Sequence, residues 1–120
     1  MAIRRVLIAN DAISVVRELE ARLAGLGHDV VAIASTGREA ITLAAQTEPD
    51  VVLMDLALGG DLDAVKAATE IRQRWRIPVI FMTAETDDAT LRRARVTDPY
   101  GYVAKPFTPE ELISAVKRFA

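Results

Sequence analysis

The most restrictive feature of the chain is that two hydrophobic periodicities take turns along it. Short runs of aliphatic and β-branched residues, "RRVLIA" (4–9), "DVVAIA" (29–34), "VVLM" (51–54), "PVIFM" (78–82) and "GYVA" (101–104), alternate with longer segments whose apolar residues recur at helical spacing. The runs "VVLM" and "PVIFM" carry no polar residue at all, as strands must when both faces of a sheet are covered. The pattern predicts five strand-then-helix units, and hence a parallel sheet between two helical layers. At 120 residues this is one domain, large enough to bury a core without metal or disulfide staples.

The helices carry their own start and stop signals. Val15, Val16, Leu19, Leu23 and Leu26 form a stripe that Gly27 ends. Thr36 and Glu39 have capping-box spacing ahead of Ile41, Ala44 and Ala45, and Pro49 closes that segment. A third helix is expected over roughly 63–74, with Val65, Ala68 and Ile71 facing inward. A short arginine-rich helix is expected over 87–97, with only Leu91, Ala94 and Ala89 to bury. Thr108, Pro109 and Glu111 supply an N-cap, a first-turn proline and a capping acid for the last helix, which buries Leu112, Ile113, Val116 and Phe119.

Composition removes several function classes. Lys and Arg number 15 against 17 Asp and Glu, so bulk charge gives no support to phosphate-backbone binding of a nucleic acid. The absence of cysteine excludes disulfides and thiolate chemistry and is compatible with a reducing cytoplasm. No apolar run approaches the ~20 residues of a membrane span, and "MAIRRVLIAN" lacks a signal-peptide core. The expectation is a cytoplasmic protein.

In parallel α/β sheets, ligands bind beyond the carboxyl ends of the strands. Here the first strand ends at Asn10-Asp11, the third at Asp55, the fourth at Thr83-Ala84 and the fifth at Lys105-Pro106. Asp11 and Asp55 are hard oxygen ligands, and Mg²⁺ commonly uses one or two carboxylates while keeping several waters. Lys105 adds a point charge for a phosphoryl oxygen and Thr83 a hydroxyl donor. This set suits phosphoryl transfer, in which positioning and charge stabilisation do most of the catalysis. Asp55 is the nucleophile it implies, becoming an aspartyl phosphate.

The motifs "VLIAND" (6–11), "PDVVLMDLAL" (49–58), "IPVIFMTA" (77–84) and "GYVAKPF" (101–107), in that order and spacing, resemble the receiver domain of two-component response regulators over nearly the whole chain. The resemblance implies a doubly wound (βα)5 flavodoxin-like fold of strand order 2-1-3-4-5. It implies that Asp55 accepts a phosphoryl group from a histidine kinase or histidine phosphotransfer protein. It further implies that Asp11, Asp55 and the backbone carbonyl of Ala57 hold Mg²⁺ and that Lys105 pairs with the phosphoryl group. The Lys105-Pro106 bond is expected to be cis. Thr83 and Tyr102 would be the switch, the first moving to the new phosphate and the second swinging inward behind it. The fourth helix, fifth strand and fifth helix would carry dimer or output contacts. Apart from promoting its own phosphorylation and dephosphorylation, such a domain is no enzyme.

The chain departs from the family at two places. Two adjacent acids usually end the first strand, and here the first is Asn10. Its carbonyl oxygen can reach a metal through water, but its charge is not replaced. A unit charge ~4 Å away is worth about 4 kcal/mol at an effective dielectric near 20, an upper bound for a water-mediated contact. Mg²⁺ binding is therefore expected to be weakened and not lost. The loop "LALGGDLDAV" (56–65) is one residue longer than usual, with Gly59 in place of a common proline and Ala64 in place of a common glycine. Ala57 and Glu85, each two residues past a strand-end partner, flank the route of a water attacking the phosphate.

Plainer readings stand beside these. His28 after Gly27 is a solvated turn residue, and Trp75 in "RQRWR" (72–76) packs at a helix end. Arg92, Arg93 and Arg95 read equally as a charged face or a docking surface. Tyr102 is also an ordinary strand residue. Loss of phosphoryl chemistry would leave a pseudo-receiver, a protein-interaction module; Asn10 and the altered loop favour this, and retention of Asp11, Asp55, Thr83 and Lys105 opposes it more strongly. A haloacid-dehalogenase-type phosphatase would need an aspartate at Ala57, and a dinucleotide-binding turn would need glycines that "ANDAIS" (9–14) lacks. A flavodoxin-type cofactor protein shares only the fold. With no output domain after the last helix, the sequence is that of a stand-alone regulator or of a receiver belonging to a longer protein.

Overall fold

The computed structural model describes residues 5–83, with side chains to residue 82, and the backbone of the strand at 101–104. The elements run β1 (Arg5–Ala9), α1 (Ile13–Gly25), β2 (Asp29–Ala34), α2 (Gly37–Thr47), β3 (Val51–Asp55), α3 (Ala64–Trp75), β4 (Val79–Thr83) and β5 (Gly101–Ala104). All neighbouring strands pair in parallel, in the order β2-β1-β3-β4-β5. The helices expected over 87–97 and after Thr108 lie outside the described residues.

Side-chain alternation along the strands sorts the core into two layers. Leu7 and Ala9 of β1, Val52 and Met54 of β3, and Val79 and Phe81 of β4 point to one face, where α2 contributes Ala40 and Ala44 and α3 contributes Ala68 and Ile71. Val6, Ile8, Leu53, Ile80 and Met82 point to the other, against Val16, Leu19 and Leu23 of α1. With so few aromatic residues, the buried alanines of α2 and α3 provide close packing by bringing helix backbones near the sheet. Ala45, grouped with the apolar residues of α2 by spacing, is exposed; the buried stripe runs through Ala40 and Ala44 instead.

The helix ends follow the sequence signals, with one change. Gly27 lies at φ +84°. Its N–H donates to Ala24, and that of His28 to Leu23, the pair of bonds that defines a Schellman stop. Thr36 caps α2 by accepting from the Glu39 N–H at 3.1 Å. The returning arm is displaced by one residue, because the Glu39 carboxylate accepts from the N–H of Ser35 at 2.7 Å and not from that of Thr36. Asp63 caps α3 by accepting from the Lys66 N–H at 2.9 Å. Trp75, at the end of α3, packs on the core edge with the Arg74 guanidinium 5.8 Å from its ring centre. Among the described residues, no helix is long and apolar enough to cross a membrane.

Candidate functional site

The site is built at the carboxyl edge of the sheet. β3 runs one residue beyond "VVLM", so Asp55 is the last residue of the central strand and not the first of a loop. In register it stands beside Met82 of β4, and Thr83 follows at the end of that strand. Thr83 in turn aligns with Ala104 of β5, the residue before Lys105. On the other side, Ala9 of β1 aligns with Met54, which brings Asn10 level with Asp55. Parallel pairing therefore delivers Asn10, Asp55 and Thr83, and the residue preceding Lys105, to one edge. Tyr102 of β5 pairs with Phe81 of β4. The side chains of Thr83 and Tyr102, and Lys105 and Glu85 entirely, lie outside the described residues.

Asn10 is 2% exposed and Asp55 5% exposed; they are the two buried polar or charged side chains among the described residues. Each Asp55 carboxylate oxygen is held. Oδ1 accepts from the backbone N–H of Ala57 at 2.9 Å, and Oδ2 accepts from Nδ2 of Asn10 at 3.2 Å. The Asn10 carbonyl, expected to reach a metal through water, accepts from the Ala12 N–H at 2.8 Å, and a second lone pair remains on that oxygen. Asp11 is exposed. Ala57 is exposed as well, and the loop beyond it passes over Asp11: a Cβ on Gly59 would stand 3.7 Å from the Asp11 carboxylate.

This donor set fits a hard divalent cation. It offers one accessible carboxylate, one buried carboxylate at a strand end and the backbone of a loop packed beside them, the kind of partial set from which Mg²⁺ keeps several waters. Among the described residues no group of three or more His, Cys, Asp or Glu gathers into a fuller cage.

The loop over 56–63 is clamped to the start of α2. Gly60, at φ +108°, lies where a Cβ would meet the Thr36 side chain at 3.2 Å, and Gly37 abuts the Leu62 carbonyl. The Arg38 Nε donates to the Asp61 carboxylate at 2.7 Å. That hydrogen bond, with the charge behind it, lowers the Asp61 pKa and raises that of Arg38. Sequence reading missed this clamp. The one available signal was a glycine directly after the Thr36 cap, where helices tolerate many residues and a glycine needs a reason.

A shallow groove of about 300 Å³ opens beside Asn10 and Asp11, between α1 and β2. Ile13 and Ile33 line it and are the large hydrophobic side chains most exposed among the described residues, at 70% and 41%.

The chain is thus a doubly wound parallel α/β domain with a buried carboxylate ending its central strand and an exposed acid just past the end of the neighbouring strand. The chain belongs to the response regulator receiver domain family, whose family model matches residues 6–117. It is 35% identical over 114 residues to the transcriptional regulatory protein PdtaR of Mycobacterium tuberculosis, covering 95% of this chain and 55% of that protein. The chain spans about half the length of the curated relatives it matches. Among solved structures, it is similar to the signal receiver domain of a modulated diguanylate cyclase from Desulfovibrio desulfuricans G20 (TM-score 0.92, 34% identity, 97% of this chain and 92% of that one). It is also similar to the anti-anti-sigma factor PhyR from Bartonella quintana (TM-score 0.80, 30% identity, 99% of this chain and 48% of that one). The chain is thus a receiver domain of two-component signalling.

Proposed function

We propose that the domain is a phosphorylation-controlled switch in which Asp55 takes a phosphoryl group from a histidine kinase or histidine phosphotransfer protein in the cytoplasm. The observation that carries this reading is the buried Asp55 carboxylate, fixed at the strand end by the Ala57 N–H and the Asn10 amide beside exposed Asp11. An Asp55 oxygen attacks phosphorus, the P–N bond of the phosphohistidine breaks, and its electron pair returns to the imidazole.

Asp11, Asp55 and the Ala57 carbonyl are the residues that would hold Mg²⁺, with Asn10 able to reach it through water. When bound, the cation supplies positive charge for the phosphoryl oxygens. Lys105 adds a second positive charge. Thr83 hydrogen-bonds the acquired phosphate and Tyr102 follows it inward, biasing the face that meets an output partner or a second copy. Beyond its own phosphorylation and dephosphorylation, the domain catalyses nothing in this reading. The groove rimmed by Ile13 and Ile33 adjoins Asn10 and Asp11, and in this reading it is the surface on which a protein phosphodonor rests.

Incubation with acetyl phosphate or phosphoramidate and Mg²⁺, followed by intact mass measurement, tests the proposal. Wild type gains the mass of one phosphoryl group and Asp55→Asn gains none; an unmodified wild type overturns it. A second reading, a pseudo-receiver that acts as an interaction module, is favoured by one observation, the neutral Asn10 amide facing the acceptor. It predicts the unmodified outcome.

A further inference from the structure

The orientation of the Asn10 carboxamide is forced by its partners. The Ala12 N–H can only donate, so it takes Oδ1; an ionised Asp55 can only accept, so it takes Nδ2. The pair is buried, and no buried side-chain polar atom among the described residues is left unsatisfied. An aspartate at residue 10 would satisfy Ala12 equally well. It would also put two carboxylate oxygens about where a donor and an acceptor now stand 3.2 Å apart, a contact that needs a cation or a shared proton. Asn10 replaces that requirement with a bond internal to the chain.

We propose that Asn10 is a positioning residue that helps hold the Asp55 carboxylate in place without a bound metal ion, so that the acceptor geometry of this receiver persists when Mg²⁺ is absent. The Ala57 N–H on Oδ1 and the Asn10 amide on Oδ2 fix the carboxylate plane from two sides. The cation is then needed for charge on the phosphoryl group and not for assembly of the site. The proposal rests on reading Asp55 as the acceptor, but its test requires no phosphoryl transfer.

Two substitutions separate the arms of the amide. Asn10→Asp keeps the acceptor for Ala12 and removes only the donor to Asp55, whereas Asn10→Ala removes both. Thermal melts are recorded for wild type and both variants in EDTA and in millimolar Mg²⁺. In EDTA, Asn10→Asp melts about 4 °C or more below wild type, and Mg²⁺ closes the gap. Asn10→Ala melts below wild type in both media. An Asn10→Asp protein that melts with wild type in EDTA overturns the proposal, since Asn10 would then serve only the turn at Ala12. A gap that Mg²⁺ leaves open also overturns it, because charge repulsion would not be its cause.

If Asn10→Asp does not fold in EDTA, recovery of folding on adding Mg²⁺ is the supporting result and failure to recover the opposing one. A spectroscopic readout is independent of that variant's stability. In metal-free wild type, the Asn10 side-chain amide protons exchange slowly with water and shift in Asp55→Ala; signals indifferent to Asp55→Ala overturn the assignment. Failure of acetyl phosphate to modify wild type would strike the function proposed above and leave these melts and spectra unchanged.

Discussion

Gly37 and Leu62 are in backbone contact: a side-chain carbon on Gly37 would stand 2.6 Å from the Leu62 carbonyl oxygen and 3.1 Å from Cβ of Ala67. The first residue of α2 thus supports the loop that leaves Asp55, and neither neighbour is the end of a flexible side chain that could swing away. Gly37→Ala is expected to destabilise the domain by about 1–3 kcal/mol, the usual range for overpacking. Because the displaced backbone belongs to the loop carrying Ala57 and Gly59, the same variant is expected to bind Mg²⁺ more weakly. Urea melts and a Mg²⁺ titration check both; unchanged stability would mean that α2 and the loop shift apart freely.

Local pattern carried much of this architecture, and non-local contacts carried the rest. The run "VVLM" identified β3 because a strand covered on both faces has no polar position, and Gly27 marked the end of α1 because only a glycine takes φ +84° without strain. Strand order was another matter. Nothing inside a strand says which neighbour it pairs with, so the order entered through the resemblance to receivers. The strand-end residues could be placed on one edge from parallel topology alone. The direction of the Asn10 amide could not, because it depends on an N–H two residues away and a carboxylate 45 residues away acting together. The Arg38–Asp61 pair was hidden for the same reason, since its partners lie 23 residues apart on two loosely patterned segments.

That ion pair gives the loop a pH dependence of definite sign. Asp61 has its pKa lowered from the ordinary 3.8, first by the hydrogen bond from Arg38 and then, against some desolvation, by its charge. A lowered carboxyl pKa contributes stability that is complete above the unfolded value and disappears as pH falls through the folded one. The melting difference between wild type and Asp61→Asn is therefore expected to be constant from neutral pH down to about the unfolded carboxylate range and to shrink below it. Both side chains are exposed, so salt should reduce the difference at every pH. A difference that grows on acidification would contradict the assignment.

Backbone strain at the end of α3 predicts a stabilising change. Arg76 caps the helix at φ 56° and ψ 29°, a left-handed conformation that costs an L-residue with a Cβ about 1–2 kcal/mol. Glycine removes that cost but loses more freedom on folding, so Arg76→Gly is expected to gain at most about 1 kcal/mol. Gly27, already a glycine at φ +84°, should show the opposite sign when changed to alanine. The two substitutions together test backbone conformation with little change in packing, since a Cβ at Gly27 would meet nothing within 4 Å. Denaturant midpoints that move in the same direction would mean that conformation is not what decides them.

The exposed Ile13 separates the chemistry of Asp55 from recognition of its donor. At 70% exposure it contributes little to the core, so Ile13→Ser should melt with wild type. Acetyl phosphate needs only the acceptor site and should modify the variant at the wild-type rate. In the proposed reading, a protein donor bringing its phosphohistidine to a carboxylate that is 5% exposed rests on the groove between α1 and β2 that adjoins Asn10 and Asp11. Losing an apolar contact there should slow transfer from a phosphorylated histidine phosphotransfer domain active on wild type by about fivefold or more, the effect of an interface residue worth over 1 kcal/mol. Equal rates from the protein donor would place the docking surface elsewhere, while a matching loss with acetyl phosphate would mean that Ile13 supports the neighbouring Asp11 and not the partner.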